Sequence, residues 1–173
     1  MSPPLRLAVA AASLLAACGP PAAAPEAEYY TSHGFAVLAP DGVAPAPEEV
    51  ELATEIALAH LASNFPALYD RAETIAAQEL QPVLIEVHDG PIFVDGVQVR
   101  GSYANVDNRI RYRHAPCLGQ TPISHELVHY YNWIVEGVFD DRHQRSAFFG
   151  SGSIESTTWG SLIDELCPGA TPL

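Results

Sequence analysis

An α+β domain, with helices packed on a short antiparallel sheet, is the fold class this sequence predicts, and three stretches predict it. "PEEVELATEIALAHLASN" repeats apolar residues with a helical period. Between residues 83 and 113 the pattern shortens to β-branched runs broken by turn residues. "TPISHELVHYYNW" then returns to a helical pattern and carries His125, Glu126 and His129 within one turn. The expected order is two helices, the small sheet, a central helix bearing the histidines, and a C-terminal helix.

The first helix has its start written into it. Pro47 suits the first helical position, and Glu48, Glu49 and Glu51 complement the positive end of the helix dipole. Val50, Ala53, Ile56, Ala57, His60, Leu61 and Asn64 line one stripe, so His60 reads as a core or boundary residue. A second helix is expected over "PALYDRAETIAAQEL" after a break near Pro66, and Pro82 stops it. "VLIEV" (residues 83–87) is a strand, and "IFV" and "VQVR" flank Asp95-Gly96, a dipeptide suited to a tight hairpin turn. In "RIRYR" (residues 109–113), Ile110 and Tyr112 point inward while Arg109, Arg111 and Arg113 point outward. That stripe can attract an acidic ligand, but its plainer role is a solvated face countering nearby carboxylates. Thr121 and Pro122 start the motif helix and Gly137 ends it; the last helix runs from Ser151–Ser153 to Leu166, before Pro168-Gly169.

Residues 29–173 are expected to form one domain, with 1–17 a signal peptide and 18–28 a tether. The run "LAVAAASLLAAC" is too short to stay in a bilayer as a spanning helix and reads as a secretory signal. Its end, "LAAC", resembles the lipobox of bacterial lipoproteins. That resemblance implies cleavage before Cys18, lipid attached at Cys18, and a membrane-anchored protein of the bacterial cell envelope, facing outside the cytoplasm. The alternative is an ordinary cleaved signal. "GPPAAAPEAE" follows as a Pro- and Ala-rich tether of about 30 Å if largely extended. Outside the cytoplasm Cys117 and Cys167 can form a disulfide, which on the chain-entropy model contributes ~4 kcal/mol; two buried thiols are the alternative. Acidic residues number 21 against 8 basic ones, all of them arginine. Such a surface repels phosphates, and no nucleic-acid partner is expected.

The chemistry lies in His-Glu-Leu-Val-His. Histidines four positions apart on a helix project from one face, so both rings can approach one zinc ion at ~2.0–2.1 Å. Glu126 sits on the flank of that face, where it can take a proton from a metal-bound water without coordinating the metal. His33, His88 and His114 carry no ligand spacing, and Tyr130 and Tyr131 read as packing residues.

"SHELVHYYNW" followed by "AFFGSGSIE" resembles the gluzincin branch of the zincin metallopeptidases over roughly residues 100–166. The resemblance implies a zincin-like domain that binds zinc and hydrolyses a peptide or protein substrate through a metal-bound water. It also implies a second helix carrying a glutamate as third ligand and a second acid one turn later. Phe148 and Phe149 match the family's apolar pair, Gly152 its glycine and Glu155 its second acid. Ser151 stands where the ligand glutamate is expected, and a short neutral hydroxyl is not among the usual zinc ligands. Three outcomes stay open. Glu155 joins His125 and His129 as third ligand; or Asp140, Asp141 or His143 does; or the chain is a catalytically inactive scaffold or binding lipoprotein. His143 is also a candidate donor to a developing oxyanion. The HExxHxxGxxH arrangement is excluded, because Asn132 and Val135 occupy its Gly and His places.

Overall fold

Pro47 opens α1 (Pro47–Asn64) without a side-chain cap from Ala46, leaving Glu48 and Glu49 to meet the positive helix end. The computed structural model of the chain describes residues 26–114 and 123–139. Along α1 the buried stripe is Val50, Ala53, Thr54, Ala57, Leu58, His60 and Leu61; the expected Ile56 is only half-buried. His60 is a core residue, and burial lowers its pKa, so its ring stays neutral. The second helix, α2 (Arg71–Leu80), starts later than expected. Asp70 accepts hydrogen bonds from Ala72 N at 3.0 Å and Glu73 N at 3.2 Å, and this N-cap sets the helix start past Tyr69.

The sheet departs from the expected short antiparallel one. Among the described residues five strands run in the order β1 (Tyr29–Tyr30), β2 (Ala36–Leu38), β3 (Leu84–His88), β7 (Arg109–Arg113), β6 (Gly101–Ala104), and both neighbours of β3 are parallel to it. Only β1–β2 and β6–β7 pair antiparallel within this mixed sheet. The cause is connectivity: α1 and α2 form the long crossover that returns the chain to lie parallel beside β2. The expected hairpin is present as β4 (Ile92–Val94) and β5 (Val97–Val99), a separate two-stranded sheet. Its turn residues Asp95 and Gly96 have φ of 51° and 80°, the left-handed pair that a two-residue hairpin turn requires.

One sheet face, carrying Val37, Ile85, Val87, Tyr103, Ile110 and Tyr112, is buried with the helices in a single core. The other carries Glu86, which receives Arg109 Nη1 at 2.8 Å and Arg111 Nε at 3.2 Å. Two members of the arginine stripe thus counter carboxylates. Central to the core is α3 (Ile123–Glu136), which touches α1, α2, β6 and β7. Tyr130 donates to Gln81 O at 2.9 Å and Tyr131 to Gln78 Oε1 at 2.7 Å, while Tyr69 bonds to Asn132 and Glu136. Gly137, at φ 68°, ends the helix with its N–H on Trp133 O at 2.9 Å. Among the described residues no helix is long and apolar enough to cross a membrane. The expected C-terminal helix, the Thr121-Pro122 start, Cys18, and Cys117 with Cys167 lie outside the described residues.

Candidate functional site

Because α3 is buried on nearly every side, few of its residues reach open space, and those that do define the site. From Ile123 to Asn132 every residue is buried except His125. His125 and His129 lie one turn apart, their ring centroids 5.0 Å apart and planes at 73°. Their Nε2 atoms are 3.3 Å apart. Two nitrogens held at ~2.05 Å from one ion, at the tetrahedral angle, are separated by about 3.3–3.4 Å. The pair therefore fits one tetrahedral cation; at this distance one ring can also donate a hydrogen bond to the other.

Glu126 and His129 are each 6% exposed, and with His125 they line a cavity of about 680 Å³. Glu126 does not complete a ligand set: among the described residues no three His, Cys, Asp or Glu side chains are placed to hold a metal together. The structure thus brings His125, Glu126 and His129 to one cavity. Glu155, Ser151, Asp140, Asp141 and His143, the residues weighed for the third ligand position, lie outside the described residues.

The facing wall of the cavity is β6, the end strand of the sheet. Arg113 N donates to Arg100 O at 2.8 Å, which sets the alternation of this antiparallel pair. Ser102 and Ala104 then exchange hydrogen bonds with β7, whereas the N–H and C=O groups of Gly101 and Tyr103 point away from it, along an edge that pairs with no other strand among the described residues. Tyr103 donates to Asn108 Oδ1 at 2.8 Å. Burial, with the charge of Asp107, pushes its phenol pKa far up, so it remains protonated. Val94 and Val99 of the hairpin, Val106 and Phe139 supply apolar lining, and Arg100 supplies a cation.

Sequence reasoning missed these wall residues. Glycine at position 101, directly after "VQVR", was the one available sign that a second strand begins there. In comparisons with family models, with curated proteins and with solved structures, nothing matches this chain.

Proposed function

We propose that the chain is an exported, lipid-anchored metallopeptidase of gluzincin type, with His125 and His129 holding zinc and Glu126 as the base. The observation that carries this reading is the 3.3 Å separation of the two Nε2 atoms beside a buried glutamate in one cavity. Glu155 is the proposed third ligand, on the strength of the sequence resemblance. Zinc, when bound, lowers the pKa of water towards ~7 and polarises a carbonyl oxygen.

The chain's own residues account for the rest. An extended peptide can pair with this edge of β6 through the main-chain groups of Gly101 and Tyr103, in the same cavity that the histidine pair lines. A Glu126 carboxylate oxygen takes a proton from the attacking water and returns it to the departing amine nitrogen.

Zinc per chain after exhaustive dialysis tests the reading. One zinc is expected in the wild type and in Glu126→Gln, and none in His125→Ala or His129→Ala. Glu126→Gln should lose hydrolysis of an unfolded protein substrate that the wild type cleaves. Ligand-induced stabilisation gives an independent readout: zinc at a hundredfold excess over Kd adds about 2.7 kcal/mol to unfolding. A wild type without zinc, with metal appearing only in Ser151→Glu, would instead support an inactive scaffold.

A further inference from the structure

Arginine is the only basic residue type in this chain besides histidine, and acidic residues outnumber it 21 to 8. Arg71 pairs with Glu55, Arg109 with Glu86 and Asp107, and Arg111 with Glu86. Among the described residues Arg100 and Arg113 form no ion pair, and of these two exposed arginines Arg100 lies between β5 and β6 on the wall of the histidine cavity. Its backbone is tied into the sheet by the bond from Arg113 N. The surrounding lip is apolar: Val94 is 40% exposed, Phe139 38% and Val106 91%. Exposed apolar side chains gathered on the wall of one cavity mark a recognition surface.

We infer that Arg100 anchors a carboxylate of the peptide lying along β6, and that this apolar lip takes a hydrophobic side chain beside it. The inference rests on the proposed peptide site and names its substrate class: peptides with a negative charge next to an apolar residue. Position supports it. Arg100 directly precedes Gly101, the first residue whose main-chain groups face that edge of β6, so a peptide paired there brings one end or one side chain to the guanidinium. Charge supports it too, since among the described lining residues Arg100 and Glu126 are the formally charged ones at neutral pH, histidines aside, and they carry opposite signs. A planar guanidinium binds a carboxylate through two parallel hydrogen bonds. An anionic lipid surface is the less suitable partner, because the chain as a whole carries a net charge of −13.

The test uses the full chain with Glu126→Gln, so that nothing is cleaved, and three labelled heptapeptides of one apolar sequence. The first has an internal glutamate and an amidated end, the second glutamine and a free C-terminal carboxylate, the third neither charge. Fluorescence anisotropy should show one or both anionic peptides binding about five- to tenfold tighter than the neutral one. Which of the two gains identifies the carboxylate's source. Arg100→Gln should erase the preference, Arg100→Glu should transfer it to a lysine-containing peptide, and Arg113→Gln, another exposed arginine but outside the cavity, should leave it intact. Equal binding of all three peptides, or none by any, overturns the inference. So does binding to phosphatidylglycerol vesicles, by chain without its lipid, that Arg100→Gln abolishes. Wild-type hydrolysis without charge preference rejects Arg100 while sparing the peptidase reading. Charge-selective binding without zinc or hydrolysis does the reverse.

Discussion

Replacing Tyr69 by Phe removes one oxygen from the support of α3 and nothing else. Tyr69 is 2% exposed, and its hydroxyl meets both Asn132 and Glu136. A hydroxyl donates one proton. That proton is shared between two acceptors, the fully buried Asn132 amide oxygen Oδ1 and the Glu136 carboxylate. Losing a bond to a charged group costs about 1.5–3 kcal/mol, and stranding a buried amide about 1–3 kcal/mol. Glu136 is only partly buried and regains water, so the first figure is partly recovered, whereas Asn132 is fully buried and regains nothing. The expected loss is about 2–4 kcal/mol. With a urea m-value of about 1.5 kcal/mol/M, the midpoint falls by roughly 1.3–2.7 M. Tyr69→Phe combined with Asn132→Leu removes both partners and should cost at least ~1 kcal/mol less than the sum of the single changes. Strictly additive losses, or a single-variant loss below about 1 kcal/mol, would refute the network.

Three further outcomes are expected. Gly137→Ala should lower stability by about 1 kcal/mol in the same urea assay, because φ is 68° and no described neighbour stands within 4 Å of an added Cβ, which leaves backbone strain as the main effect. Burial opposes ionisation of Glu86, but the hydrogen bonds and charges of Arg109 and Arg111 outweigh it and hold its carboxyl below the usual glutamate value. Its stabilisation is therefore present above the unfolded pKa and lost as pH falls through the folded one, so the stability gap between wild type and Glu86→Gln should narrow on acidification below the ordinary glutamate range and stay flat near neutrality. Glu155→Ala should abolish zinc retention; zinc that survives this change moves the third ligand to Asp140, Asp141 or His143.

Features of this chain decided within a few neighbouring residues were legible in its sequence. Pro47 opens α1, Asp95-Gly96 turns the hairpin, Ile110 and Tyr112 alternate inward, and Gly137 closes the motif helix. The pairing of His125 with His129 belongs to the same group, because a four-residue spacing on a helix is local geometry. What depends on residues distant in sequence was not legible. Strand β2 has three residues, too few to show a period, and its parallel pairing of Ala36 with Leu84 exists only once α1 and α2 have folded between them. The later start of α2 came from Asp70 outcompeting the break at Pro66. At the site, sequence alone determined the two imidazoles and the adjacent glutamate. The 3.3 Å approach of the Nε2 atoms, the edge position of β6 among the described strands and the placing of Arg100 at the cavity lip were decided by tertiary structure, because each depends on where packing sets a strand, a hairpin or a ring against α3.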